Sequence, residues 1–469
     1  IVQSEYLNNL REHFSVEDPI ANLKKLRYGC FVPSRHYAIT QAGRFKLGMF
    51  SEIANHIRGL TIPYKMIVTE LLKQQFFNPY DIKDIAKLNM ELRDYQELAV
   101  TKALKQGNGV VISATGSGKT FIMATLVETI RNHSPKTHKT IIVVPGIQLV
   151  EQTYSDFVEY GIDPRVISKW SGDHPYNSTS SIIIASLSIL QSKKADLTPL
   201  ETCDLFIADE AHKIKRSNKA SDLLKSVKTQ HTYGFTGTLP DNKIDEWNVI
   251  GLFGPILMQK TSKSLRDEDF ITDAHVQVIR IQYKNPLVYK NRSTFLDPTA
   301  KYNEECEYVY NQPYRNEVIG KLANNVDKNI LVLVDKIEQG ETLTTAIKQF
   351  APNKTVYFIR GIMPVDDREA IRKLMESQDN IVCVAITSIF STGINIKNLH
   401  YILFAAAGKA KIKIIQSIGR GLRLHENKEN LIIFDISDKL DYSSKHLSKR
   451  LSLYNKEKIR YAIKEINEK

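Results

Sequence analysis

Between residues 109 and 436 the chain alternates short runs of β-branched residues with longer segments whose apolar residues recur at helical spacing. That alternation is what a parallel sheet needs. Its strands are buried on both faces, and each consecutive pair requires a crossover long enough to hold a helix. The runs fall into two sets: 109–114, 140–145, 181–186, 205–210 and 232–237, with 166–168 a weaker candidate, and then 329–335, 355–361, 380–387, 399–406 and 431–436. Two sets predict two α/β domains, with ligands at the carboxyl ends of the strands. The join is expected between residues 254 and 273, where Gly254-Pro255 is followed by the charged run 266–269.

The expected boundaries are an accessory domain over 1–88, the two α/β domains over 89–262 and 263–440, and a basic helical tail over 441–469. In the first segment, short strands at 36–39 and 65–69 are expected to flank a helix with Phe50, Ile53 and Ile57 on one face. Its cations Lys24, Lys25, Arg27, Arg35, Arg44 and Lys46 read either as a solvated surface or as one turned toward DNA. In the tail, Lys445 and Lys449 lie opposite Leu447, Leu451 and Tyr454 on a helical wheel, as in a basic helix docked by its apolar stripe. The tyrosine-rich segment 283–314 reads as a surface excursion leading into a helix, with no role assigned.

The segment Ala114-Thr115-Gly116-Ser117-Gly118-Lys119-Thr120 directly follows the first apolar run. A buried strand entering a glycine-rich loop that opens a helix is the arrangement for triphosphate binding. The glycines let backbone N–H groups turn toward the phosphates, Lys119 offers a charge to the β and γ groups, and the Thr120 hydroxyl can hold Mg²⁺. Thr115, Gly116, Ser117 and Gly118 would form the cradle itself. Ser113 stands where the strict pattern has its first glycine.

Asp209-Glu210-Ala211-His212 follows another apolar run and places two carboxylates at a strand's carboxyl end. Alone, such a pair is more often a helix cap. Beside the phosphate loop it reads as catalytic: Asp209 to hold hydrated Mg²⁺, Glu210 to orient and deprotonate the attacking water.

With these two motifs in order, the chain resembles the superfamily 2 helicases and translocases, and further motifs follow the same pattern. Leu92-Arg93-Asp94-Tyr95-Gln96 resembles the adenine-reading segment, with Gln96 as its amide. Thr236-Gly237-Thr238 resembles the motif that couples the nucleotide site to strand binding, and Pro145-Gly146 resembles a strand-binding loop of the first domain. In the second domain, Ser391-Thr392-Gly393-Ile394-Asn395 resembles the corresponding loop, with Asn395 where many relatives have Asp and Gly393 allowing close approach to the nucleotide. The stretch from Gln416 through Arg420 to Arg423 resembles the motif whose arginines reach the γ-phosphate from the opposite domain.

Within the superfamily, residues 389–394, Lys397-Asn398-Leu399-His400, Leu26-Arg27-Tyr28-Gly29 and the basic tail are similar to the UvsW-type recombination helicases of phage. The resemblance implies tandem RecA-like domains, ATP and Mg²⁺ as cofactors, and remodelling of branched DNA: junction migration, fork regression and removal of R-loops or D-loops. Implied partners are branched or duplex DNA and RNA–DNA hybrids, with no membrane, a monomeric state, and the host bacterial cytoplasm as the location if a phage encodes it. An RNA helicase, or a duplex translocase that separates no strands, are the alternatives that the motor motifs leave open.

Composition agrees with a polyanionic partner. The net charge is +12, and cations that meet phosphates release condensed counterions. No stretch approaches the roughly 18 consecutive apolar residues of a membrane span. Cys30, Cys203, Cys306 and Cys383 form no close pair, which argues against a zinc ribbon or disulfide framework and for a reducing compartment. The first five residues carry no secretory pattern, and the chain does not open on Met.

Overall fold

The computed structural model describes residues 4–18, 21, 34–60, 65, 67–70, 73, 79–114, 116–172, 174–192, 196–214, 223–229, 231–240, 242–261, 264–265, 273–288, 298–361, 363–387, 396, 398–406, 430–456 and 458–468. The chain divides into two compact units at residue 261, with the loop 115–117 counted outside the first.

The first unit is built on β3 (Gly109–Ser113), β4 (Thr140–Val144), β5 (Ile167–Trp170), β6 (Ile182–Ser186), β7 (Leu205–Ala208), β8 (Thr232–Thr236) and β9 (Ile256–Lys260). They pair in the order β5-β6-β4-β7-β8-β3-β9, every pair parallel. The second unit carries β10 (Asp273–Gln282), β11 (Ile330–Val334), β12 (Thr355–Ile359), β13 (Ile381–Ile386), β14 (Tyr401–Phe404), β15 (Asn430–Asp438) and β16 (Arg460–Asn467). Its order is β12-β13-β11-β14-β15-β10-β16, again wholly parallel. Renumbered from its own first strand, each sheet reads 3-4-2-5-6-1-7. The two units therefore share one topology, that of tandem RecA-like domains.

Why these runs became strands is plain from their burial. All residues of β3, β4, β6, β7, β11 and β13 are buried, as expected for strands covered on both faces. The flanking helices supply the cover, including Lys119–Asn132 and Ile147–Glu159 in the first unit and Pro313–Asn324 and Ile337–Phe350 in the second. None of the described helices is long and apolar enough to cross a membrane.

The described residues of 4–60 share an apolar cluster with the first unit. The helix Ser4–His13, the antiparallel pair β1 (Ser15–Glu17) and β2 (Arg35–Tyr37), the helix Phe50–Gly59 and the residues that link them contribute Leu10, Phe14, Ile39, Met49 and Ile53 to one apolar cluster. The remaining members, Ile244, Trp247 and Ile250, belong to the helix Lys243–Phe253 of the first RecA-like domain. Two of the expected surface cations are also engaged: Arg35 pairs with Glu12, and Lys46 Nζ donates to Asn248 Oδ1 at 2.6 Å. Lys24, Lys25 and Arg27 lie outside the described residues. The described part of 65–69 has no strand. Deleting residues 1–60 is thus expected to destabilise the remaining unit by several kcal/mol, at roughly 1.5–3 kcal/mol for each large apolar side chain uncovered. Urea unfolding of the truncated chain measures this.

The described residues of segment 283–314 pack within the second unit. Tyr283 Oη donates to Asp438 Oδ1 at 2.5 Å, and the helix Pro298–Tyr310 buries Cys306, Val309 and Tyr310 in a small cluster. The tail is helical over Asp441–Lys456, with Leu447 and Tyr454 buried and Lys445 and Lys449 exposed. The expected single helix stops there. Beyond it, β16 adds to the edge of the sheet beside β10.

Candidate active site

The phosphate loop is held at both ends by regular structure. β3 ends at Ser113, fully buried, and the helix Lys119–Asn132 begins at Gly118. Gly116 (φ 86°) and Gly118 (φ 78°) have left-handed backbone, which a side chain would strain. At Gly118 there is a second reason for glycine: a Cβ would lie 2.5 Å from Gln96 Nε2. Ser113 is tolerated in place of glycine because it ends a strand and is not among the described residues with positive φ. Its carbonyl accepts a hydrogen bond from Lys119 Nζ at 2.9 Å.

Gln96 sits in the first turn of the helix Asp94–Gln106, where its Oε1 accepts from the Arg93 N–H at 2.9 Å. This reciprocal cap fixes the amide beside the loop. Tyr95 adjoins it, its hydroxyl accepting from Arg93 Nη1 at 3.2 Å and its ring under Lys260 Nζ at 5.1 Å. Burial pushes the Tyr95 hydroxyl above its usual range, so it stays neutral. If Gln96 reads adenine, changing it to Ala is expected to erode preference for ATP over GTP by about 10- to 100-fold, the roughly 1–3 kcal/mol of a paired amide–adenine contact. Comparing KM for the two nucleotides tests this.

Asp209 and Glu210 leave β7 at its carboxyl end. The Asp209 N–H donates to Val143 O at 2.9 Å, the Glu210 N–H donates to Asp209 Oδ1 at 2.8 Å, and Glu210 itself has φ 49°. A non-glycine residue in that region is uncommon and marks a turn whose shape is dictated by its surroundings. The turn continues as a short 3₁₀ segment, Ala211–Lys213. Within it, buried His212 lies with Nδ1 2.9 Å from Thr236 Oγ1 and 3.1 Å from Glu210 Oε2. Because Thr236 Oγ1 gives its proton to Thr238 O at 2.8 Å, the imidazole must carry its hydrogen on Nδ1 and donate it to Thr236, with Glu210 Oε2 close to the same nitrogen.

The electrostatics divide the two acids. Burial raises Asp209 above the ordinary carboxylate range, helped by the neighbouring charge of Glu210 and opposed by Lys119. Burial works to raise Glu210 as well, but the His212 hydrogen bond and the Lys119 charge outweigh it and hold Glu210 down. Glu210 is therefore the member of the pair that keeps its charge most readily. Mg²⁺ needs few protein ligands when phosphates supply the rest, and the hydroxyl of Thr120 with the carboxylate of Asp209 fits that need. The described residues hold no cluster of three or more His, Cys, Asp or Glu able to bind a metal by themselves.

Of the residues singled out from sequence, Gln96, Gly116, Ser117, Gly118, Lys119, Thr120, Asp209 and Glu210 belong to this part of the structure. Thr115, Gly393, Gln416, Arg420 and Arg423 lie outside the described residues. The link from His212 to Thr236 was not read from sequence. The two are 24 positions apart, His212 in the 3₁₀ segment after β7 and Thr236 at the end of β8, and no local pattern marks the contact.

A family described as type III restriction enzyme, res subunit, matches residues 89–241, and one described as helicase conserved C-terminal domain matches residues 314–425. The chain is similar to the ATP-dependent DNA helicase uvsW of Enterobacteria phage T4, with 26% identity over 398 residues that cover 80% of this chain and 77% of that protein. It is similar also to the DNA 3'-5' translocase XPB2 of Sulfurisphaera tokodaii, at 23% identity over 380 residues, 74% of this chain and 82% of that one. Among solved structures, the ATP-dependent Type ISP restriction-modification enzyme LlaBIII bound to DNA shares the fold, with a TM-score of 0.57 and 15% identity over 81% of this chain and 31% of that chain.

Proposed function

Since the chain belongs to the superfamily 2 helicases and hydrolyses ATP, we propose that it is a DNA motor that remodels branched DNA, migrating junctions, regressing forks and unwinding R-loops or D-loops. The observation that carries the motor reading is the buried His212, whose Nδ1 lies 3.1 Å from Glu210 Oε2 and 2.9 Å from Thr236 Oγ1, which links the proposed catalytic acid to the segment that resembles the coupling motif. DNA rather than RNA is supported by the named activity of the uvsW relative, similar over 77% of its length, and the net charge of +12 suits either polyanion. The preference for branches rests on the resemblance at 26–29 and 389–400.

In this reading Lys119 leaves the Ser113 carbonyl for the β and γ phosphates, and Gln96 selects the base. Glu210 takes the proton of the attacking water, and His212 keeps that carboxylate oriented and ionised. Mg²⁺, held by Thr120 and Asp209, neutralises phosphate charge when bound. By the resemblance, Arg420 and Arg423 would supply the guanidinium that stabilises the transferred phosphoryl, Gln416 belongs to the same motif, and Gly393 would let backbone approach the nucleotide. Losing either arginine is expected to lower kcat by about 10³-fold with little change in ATP affinity, and an equal fall in both would make the residue structural. The DNA backbone would meet the helix Ile147–Glu159 at Gly146, where no side chain caps the N-terminus and the first turn carries no acid.

A second reading, translocation on duplex without strand separation, is favoured by the similarity to XPB2. One experiment separates them: ATPase stimulation and product formation on single-stranded DNA, duplex DNA, a Holliday junction, an R-loop and RNA at one salt concentration. Junction or R-loop conversion above duplex stimulation is the expected result. Equal stimulation by plain duplex with no product would establish the translocase, and strongest stimulation by RNA would overturn the DNA assignment.

A further inference from the structure

We propose that Lys46 and Asn248 are positioning residues for ATP hydrolysis, through which the N-terminal element fixes the place of the catalytic turn. The contacts run in series. Lys46 Nζ donates to Asn248 Oδ1 at 2.6 Å, and Asn248 Nδ2 donates to the Ile214 carbonyl at 3.0 Å. Ile214 closes the turn that starts at Glu210: its N–H donates to Ala211 O, and the Lys213 N–H donates to Glu210 O at 2.8 Å. Asn248 is 4% exposed, so its amide holds that carbonyl without competition from bulk water.

Packing says the same thing independently. The helix Lys243–Phe253 presents Ile244, Trp247 and Ile250 to the N-terminal cluster, and Val249 and Phe253 to the cluster that contains Ala211 and Ile214. It has one face on each. The seams are tight enough to exclude a methyl group: a Cβ on Gly48 would lie 2.0 Å from Ile250 O, and one on Gly251 would lie 2.7 Å from Lys46 Cδ. On the far side, a Cβ on Gly234 would lie 3.1 Å from the Cβ of Ala211 and 2.9 Å from the Phe253 ring. A helix wedged without slack moves as a body, so a displacement of the N-terminal element reaches Glu210 and His212 largely undiminished. Misplacement of a reacting group by about 1 Å can cost on the order of 100-fold in rate.

The inference rests on ATP hydrolysis and is indifferent to which DNA is remodelled. Its test uses the full chain with three variants: Asn248→Leu, similar in size but without the amide; Lys46→Met, which keeps the stem and removes the charge; and Lys46→Arg, which restores a donor. Steady-state kcat and KM for ATP are measured with saturating single-stranded DNA, alongside the melting temperature and the affinity for that DNA. Expected are a fall in kcat of about 10-fold or more for Asn248→Leu, a fall of about 5-fold for Lys46→Met that Lys46→Arg largely reverses, and KM for ATP within about 2-fold throughout. Unchanged kcat in folded variants would overturn the proposal, as would a fall that merely tracks lost DNA affinity. Should Asn248→Leu not fold, the lysine pair decides: equal kcat for Met and Arg overturns it. Junction conversion by the wild-type chain is scored separately, so failure of the branched-DNA reading leaves a distinct signature.

Discussion

Replacing Glu210 with glutamine is expected to reduce ATP turnover by about 10²- to 10⁴-fold, the usual contribution of a positioned general base. Glutamine preserves the size and planarity of the side chain, and the proposed grip on the nucleotide lies elsewhere, in the phosphate loop, Lys119 and Gln96. ATP affinity should therefore stay within about 2-fold of wild type, with the loss falling on kcat. What disappears is the charge that His212 and Lys119 hold in place against burial. Steady-state hydrolysis together with binding of a fluorescent ATP analogue makes the distinction. Brisk turnover by the variant would remove Glu210 from the role of base and direct attention to a water relay through another acid.

Replacing Arg450 with methionine is expected to destabilise the second unit by about 3–5 kcal/mol, the range for breaking a buried ion pair from one side. Arg450 Nε meets Asp435 Oδ2 at 2.9 Å, and Tyr454 Oη donates to the same oxygen at 2.9 Å. All three are buried, Asp435 completely, where the strand β15 passes under the helix Asp441–Lys456. Methionine fills much of the space but leaves a carboxylate in a dry core with a phenol as its remaining described partner. The double variant Asp435→Asn with Arg450→Met should recover a substantial part of the loss, since the cost lies in the stranded charge. Urea denaturation of both variants measures it, and an Arg450→Met chain as stable as wild type would show that water reaches the pair.

The strands that sequence disclosed are the ones whose environment is uniform. β3, β4, β7, β11 and β13 lie between helix layers, so each reads as an unbroken apolar run. The three strands of the two large sheets that were passed over are mixed in character. β9 and β16 are sheet edges with exposed positions, Ile463 among them, and β10 interleaves His275, Gln277 and Arg280 with buried valines and isoleucines. Edge strands need polar side chains to discourage pairing with other molecules, which erases the pattern by which a strand is recognised. The site divides along the same line. Residues that act within one loop, such as Gly116 to Thr120 or Asp209-Glu210, announce themselves by spacing. Lys46 and Asn248 are 202 positions apart, and Lys46 looked like any other surface cation until the fold placed it against a buried amide.

The shared strand order also separates the two halves chemically. Asp209 follows the fifth strand of the first sheet; the residues that follow the fifth strand of the second, β14, are Ala405 and Ala406. The Asp-Glu pair at that place in the first sheet thus has no acidic counterpart after the fifth strand of the second.

The placement of β3 governs when a nascent chain acquires its chemistry. Gly109 pairs with Tyr233 and Val110 with Ile256, so the strand leading into the phosphate loop finds both neighbours only after synthesis has passed residue 256. At about 5–20 residues per second on the ribosome, that is a wait of many seconds with an unfinished sheet. By then the turn bearing Glu210 has already emerged. Ribosome-bound chains arrested before residue 230 should therefore bind no nucleotide, and those released past the first unit should.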